Sequence, residues 1–237
     1  MSKRVAIVQS NYIPWKGYFD MMASVDEFVL FDDAQYTRRD WRNRNRIKTR
    51  EGPQWLTIPV EVSGRYLQPI RETRISDPGW HVRHWRTIVH CYARAPHFRE
   101  FGPQLARLYE GATDPLLSHV NRHLLDGIRR LLNITTRLSW SMDYELREGK
   151  TERLVHICSQ LGASTYLSGP SARGYLDEAQ FREAGIELRW MDYSGYPEYS
   201  QLFAPFAHDV SIIDLILNTG AEARNYLTHG CLEHDAS

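Results

Sequence analysis

Residues 5–8, Val-Ala-Ile-Val, form an unbroken apolar run between Arg4 and Gln9, the pattern of a strand buried on both faces. A polar turn at Gln9, Ser10 and Asn11 follows, and Pro14 then opens a helix that runs to residue 24. Proline suits that place because its missing N–H would have no helical acceptor there. Residues 28–31 predict a second strand that ends in the paired acids Asp32 and Asp33. After the turn signal Glu51-Gly52-Pro53, residues 55–60 predict a third strand, and alternation over 71–75 predicts a half-exposed edge strand. From 78 to 132 the apolar period becomes helical, over 81–93, 101–110 and 114–132, with Asp114 and Pro115 opening the last helix. Strands at 136–141, 165–168 and 187–191 then alternate with helices at 150–161 and 174–184, before an apolar helix at 211–217 that ends near Asn218 and Gly220. The expected fold is α/β with a mostly parallel sheet. Residues 1–77 and 133–227 form its core, 78–132 a helical insertion and 228–237 a polar C-terminal tail.

Composition narrows the classes. Of 237 residues, 42% are hydrophobic and 24% charged, so a sizeable core is expected and disorder is not. Lys plus Arg and Asp plus Glu are equal at 29 each, which argues against a protein that coats nucleic acid and makes any attraction for anions local. Cys91, Cys158 and Cys231 are far apart and lack CxxC spacing, which disfavours a disulfide framework and a zinc ribbon and fits a reducing cytoplasm. The apolar run before Gln9 is too short for a signal-peptide core, and nowhere are there about 18 consecutive apolar residues. A cytoplasmic protein without membrane insertion is expected.

Candidate chemistry clusters in residues 9–48. Gln9, Asn11 and Tyr12 precede a helix start whose N–H groups suit a phosphate or carboxylate. Trp15, Gly17 and Tyr18 follow, with Gly17 placed to admit a flat ring or ribose against the backbone. Asp32 and Asp33 read as a general base, as ribose ligands, as Mg²⁺ ligands that lack a third acid in view, or as a plain turn. A loop is expected next, carrying Arg38, Arg39, Arg42, Arg44 and Arg46 with Gln35, Trp41, Asn43, Asn45 and Lys48. Arginine forks suit phosphates and a tryptophan suits a base or sugar, while a solvated basic loop is the bland alternative. Later, Ser168, Gly169 and Ser171 lie between a strand and a helix, where they could surround a phosphate or simply make a turn. No metal site is predicted: His81, His84, His119 and His123 lack a glutamate in the HExxH place, and no GxSxG elbow is present.

The stretches VQSNYIPWKGYFD, FDDAQYTRRDWRNRNRIK, WLTIPV, YLSGPSARGYL and SIIDLILNTG resemble the WbqC-like family over residues 4–227. Where that family usually shows His-Gln-Pro-Asn-Tyr, this chain has Val8-Gln9-Ser10-Asn11-Tyr12. The resemblance implies a place in surface-polysaccharide (O-antigen) or related small-molecule biosynthesis. The architecture is also similar to Rossmann-like enzymes of the nucleotidyltransferase/HUP type that carry HxGH in the first helix. Trp15-Lys16-Gly17-Tyr18 occupies that place without either histidine, which puts adenylate chemistry of that type in doubt.

Together these readings give an expected transferase. It would use an activated phosphate-bearing donor, nucleotide-linked or acyl/aminoacyl, on a sugar or small amine. Gln9, Asn11 and Tyr12 orient the reacting group, Arg42, Arg44 and Arg46 clamp the phosphates, and Asp32 or Asp33 acts as base. A nucleotide or nucleotide-linked donor is the implied cofactor. Two alternatives stay open: a non-catalytic nucleotide- or sugar-binding or scaffold protein, and an RNA-binding protein (tRNA included) acting through the Arg/Asn segment.

Overall fold

In the computed structural model, which describes residues 2–227, the chain forms seven strands: β1 (Arg4–Val8), β2 (Glu27–Leu30), β3 (Arg44–Thr49), β4 (Gly52–Thr57), β5 (Arg137–Trp140), β6 (Thr165–Ser168) and β7 (Glu187–Trp190). The helices are α1 (Lys16–Ala23), α2 (Trp80–Tyr92), α3 (Phe98–Gly111), α4 (Leu117–Leu131), α5 (Glu152–Gln160), α6 (Glu178–Glu183) and α7 (Ile212–Thr219). The expected polar tail, 228–237, lies outside the described residues. Five strands make one sheet in the order β5-β2-β1-β6-β7, and every pair in it is parallel. The chain builds outward from β1 to β5, then returns to lay β6 and β7 on the other side. Strand order therefore reverses between β1 and β6, the Rossmann-like arrangement in which ligands sit at the carboxyl ends of the strands.

Strand periodicity sorts the core into two clusters, because successive side chains point to opposite faces. Val5, Ile7 and Val29 pack with Leu154 and Ile157 of α5 and Phe181 of α6. Ala6, Phe28 and Leu30 face the other way, toward Phe19 and Met22 of α1 and the apolar sides of α2, α3, α4 and α7. With helices on both faces, β1 has no solvent side, which is why its apolar run is unbroken. Helix α4 buries Leu117, Val120, Leu124, Leu125 and Ile128, the three-and-four spacing of a single helix stripe. Residues of the expected helical insertion thus share a hydrophobic cluster with one face of the sheet. Among the described residues no helix is long and apolar enough to cross a membrane.

Two segments differ from expectation. The arginine-rich stretch expected as a loop contains β3, which pairs antiparallel with β4 from Arg44↔Thr57 to Thr49↔Gly52. This hairpin is a separate two-stranded sheet, so residues 55–60 do not supply a strand of the parallel sheet. The Arg-Asn alternation is the two-residue period of a strand: Asn45 and Ile47 are buried while Arg44 and Arg46 are partly exposed. Charge concealed the strand, since arginines are read as solvated loop. Residues 71–75 form no strand either; Ile70–Glu72 is a 3-10 turn. The backbone there bonds to several segments in turn, as Arg74 accepts from Glu61, Thr73 accepts from Leu117, and Ile75 donates to Pro115.

Candidate functional site

All strands of the parallel sheet end on one edge, so the turn after β1, the acids after β2 and Gly169 after β6 emerge on the same side. Asp32 is buried completely. Its Oδ1 accepts the Ser10 N–H at 2.9 Å and its Oδ2 accepts the Ser118 hydroxyl. Burial pushes its carboxyl pKa up, against the hydrogen bonds from Ser118 and Ser10 and the charge of Arg42. Asn121 adds bonds to Ser10 Oγ at 3.1 Å and to the Arg42 carbonyl at 2.9 Å. Asp32 is thus the centre of a clasp between the β1 exit and α4. Asp33 forms an ion pair with Arg71 Nε at 2.9 Å and accepts from Ser141 Oγ at 2.7 Å. Both acids therefore already have protein donors.

The residues around the α1 start divide between core and surface. Tyr12 is buried, and its hydroxyl meets His84 Nδ1 at 2.7 Å and the Tyr109 hydroxyl at 2.8 Å. Tyr18 is buried too, donating to the Gln9 carbonyl at 3.1 Å. A Cβ on Gly17 would stand 2.3 Å from the Trp15 ring. The flat group that needs this glycine is the chain's own indole, rather than a ligand ring. Lys16, to which the sequence assigned no role, is buried with Nζ 2.9 Å from the Pro197 carbonyl and 5.0 Å from the Tyr196 ring centroid. Burial lowers its pKa to about 8, opposed by Glu198 and Asp20.

The basic residues follow the hairpin's two faces. On the inner face Asn45 donates to the Tyr12 carbonyl at 3.1 Å, just before β3 Asn43 donates to the Ile58 carbonyl at 2.7 Å, and Lys48, in phase with Arg44 and Arg46 but buried, has Nζ bonded to the Pro205 carbonyl. These are contacts that hold the hairpin to the body. On the outer face, Arg44 and Arg46 lie 4.1 and 5.3 Å from the Trp55 ring centroid, and Trp55 pairs with Trp41 at 5.3 Å. Arg42 bonds the Asn11 side chain and pairs with Asp40 at 3.6 Å. Burial lowers the Arg42 pKa, with Asp40 opposing. Gln35 and Arg38 instead bond the carbonyls of Tyr66 and Val62 at 2.8 and 3.0 Å. Arg39 is exposed in a left-handed conformation with φ 57°, its carbonyl accepting from Arg44.

Asn11, Trp15, Trp41 and Asn45 do converge. With Pro14 and Asp209 they line a cavity of about 230 Å³ between the α1 start and the hairpin. Arg46 reaches this wall through its ion pair with Asp209. Asp209 has no local signature, because 163 residues separate it from Arg46. Ser168 is buried, Ser171 is exposed, and a Cβ on Gly169 would lie 3.7 Å from the Tyr193 hydroxyl, so these three belong to the packing and surface beyond α1. His119 meets Asp114 at 3.0 Å and His123 the Leu108 carbonyl at 2.9 Å. Among the described residues no three His, Cys, Asp or Glu side chains are grouped to hold a metal ion.

The chain is similar to other proteins over most of its length. It is 55% identical over 227 residues to the uncharacterized protein Rv1507c of Mycobacterium tuberculosis (strain ATCC 25618 / H37Rv), a match that spans 96% of this chain and 98% of that protein. No solved structure matches it. The sequence model of one family takes in residues 9–226, from the turn after β1 through the cavity wall to the last turn after α7, and on that match the chain belongs to the WbqC-like protein family.

Proposed function

We propose that the chain is a transferase of surface-polysaccharide or specialised-metabolite assembly that takes an activated, phosphate-bearing donor and modifies a sugar or small amine. The observation that carries this reading is the cavity of about 230 Å³ where the turn after β1 meets the hairpin. Ligand pockets commonly hold roughly 300–1,000 Å³, so this one suits the reacting end of a donor rather than a whole nucleotide sugar. Trp41 and Trp55, about two-fifths exposed, offer flat apolar surface for the remainder. Arg44 and Arg46 are partly exposed beside Trp55, and guanidinium forks suit phosphate oxygens. Since Asp32 and Asp33 are held by protein donors, the general-base role falls to Asp209 in the cavity wall, oriented by Arg46. Positioning and charge stabilisation then supply most of the rate enhancement.

A thermal-shift screen with nucleotides, nucleotide sugars, acyl-carrier fragments and aminoacyl-adenylate analogues tests this reading. A ligand at about 100 times its Kd adds about 2.7 kcal/mol of stability. The expected result is a stabilising ligand whose shift is lost in Asn11→Ala and Arg44→Ala while both variants melt near wild type. No stabilising ligand, or equal damage to folding and binding, rejects it. The engagement of both acids also favours a second reading, a binding or scaffold protein. Recovery of the stabilising ligand unchanged after incubation with candidate acceptors would select that reading.

A further inference from the structure

Between α4 and the outer edge strand β5 runs an open cleft of about 460 Å³ that shares no wall residue with the cavity at the β1 exit. Its walls carry four guanidinium groups, Arg122, Arg129, Arg130 and Arg137, against one carboxylate, Asp126. Asp126 is divided between Arg129 at 2.7 Å and Arg130 at 2.5 Å. Arg137 is 74% exposed and reaches Glu27 only at 3.7 Å, and Glu27 already accepts from Lys3, Ser139 and Tyr144. Among the described residues Arg122 has no carboxylate partner. Its Nη2 makes one long contact, 3.4 Å, to the Leu138 carbonyl, and its guanidinium carbon lies 3.9 Å from the Trp140 ring centroid.

The cleft therefore holds an excess of positive charge over an aromatic and backbone floor, where the field is screened less than in open water. A second observation points the same way. The Nε1–H of Trp140, in the same wall, is buried without an acceptor, and buried donors are ordinarily satisfied. Stacking on Trp140 also holds the Arg122 fork in place before any ligand arrives, which reduces the entropy lost on binding.

We propose that this cleft is a second ligand site, for a small oxyanion of the phosphate or pyrophosphate class carrying two or more negative charges. Multiple charge is required because Arg122, Arg130 and Arg137 are separate donors around the cleft, and a monoanion would engage only one fork well. The formal net charge of zero disfavours a long polyanion, whose affinity depends on neutralising many phosphates together. The assignment does not depend on what the cavity at the β1 exit binds.

Titration of the full chain with inorganic pyrophosphate at constant ionic strength, followed by calorimetry and by the indole N–H resonances of ¹⁵N-labelled protein, tests the proposal. Saturable binding is expected, with a shift of the Trp140 indole N–H and at least about tenfold weakening in Arg122→Ala, as for the loss of a charge-assisted bond. Arg137→Gln, a change at an exposed position, gives a second variant that keeps the fold and is expected to weaken binding as well. Arg182→Gln, an exposed position on α6 that lines neither site, is expected to leave affinity unchanged. The proposal is overturned if no saturable binding occurs up to about 10 mM, where association is worth only about 2.7 kcal/mol. It is overturned equally if Arg182→Gln weakens binding as much as Arg122→Ala and Arg137→Gln do, or if the Trp140 resonance stays fixed.

Discussion

Replacing Gly17 by alanine tests whether the indole of Trp15 is what demands a glycine at the α1 start. An added Cβ would lie 2.3, 2.7 and 2.8 Å from three Trp15 ring atoms, well inside van der Waals contact. The indole has little room to yield, because Tyr193 and Tyr196 pack edge-on against it at 5.3 and 5.7 Å. Overpacking of this kind costs about 1–3 kcal/mol. Alanine recovers about 1 kcal/mol of helix propensity, so Gly17→Ala should destabilise by up to about 2 kcal/mol net. In a Trp15→Ala background the clash is gone and only propensity remains, so the same change should stabilise by up to about 1 kcal/mol. Urea denaturation of the four proteins, followed by far-UV circular dichroism, gives a coupling energy expected at about 1–3 kcal/mol. If Gly17→Ala costs the same in both backgrounds, the packing argument is refuted. Because Trp15 lines the cavity, Gly17→Ala should also weaken any ligand found there.

Three further outcomes follow from individual groups. Burial lowers the His84 pKa from 6.5 to about 4, opposed by its bond to the Thr57 carbonyl. The unfolded chain thus takes up a proton before the folded one, and stability should fall by about 3 kcal/mol as pH drops from about 6.5 to about 4. Urea melts across that range, compared with a His84→Gln variant that lacks this loss, check it; parallel pH profiles would exclude it. Asp32→Ala strands the Ser10 N–H and the Ser118 hydroxyl in the interior and should cost about 3 kcal/mol or more. A loss below about 1 kcal/mol in the same melts would show that the clasp between β1 and α4 matters little. Arg46→Ala breaks a partly exposed pair with Asp209 and should change stability by no more than about 1 kcal/mol while weakening anionic ligands of the cavity. A melting loss well above that would make Arg46 a structural residue.

Local pattern carried much of the fold. The apolar run of β1, the proline before α1 and the helical spacing of α2, α3 and α4 each report on burial within a few residues, and those elements lie within a few residues of where the pattern places them. At the β1 exit, the grouping of Asn11, Trp15 and Trp41 around one cavity was legible because amides and tryptophans near a strand end have few purely structural uses. Residues 42–49 were not, since one alternation of arginine and asparagine serves a ligand loop and a strand equally well. Only pairing with β4 turned Asn45 and Ile47 inward and left Arg44 and Arg46 outward. Asp32 and Asp33 stand where a base was expected, yet donors on α4 and in the segments around residues 71 and 141 occupy their oxygens. Asp209 meets Arg46 across 163 residues, and the arginines of α4 and β5 face one cleft only once helix and strand pack, so nothing in their immediate sequence announces either. Sequence alone therefore determined which segments must be buried and which residue types are available for chemistry, because burial and backbone preference act locally. Tertiary structure decided which polar groups remain available and which cations share a cleft, because hydrogen-bond satisfaction and charge balance are settled by whatever packing brings within a few ångströms.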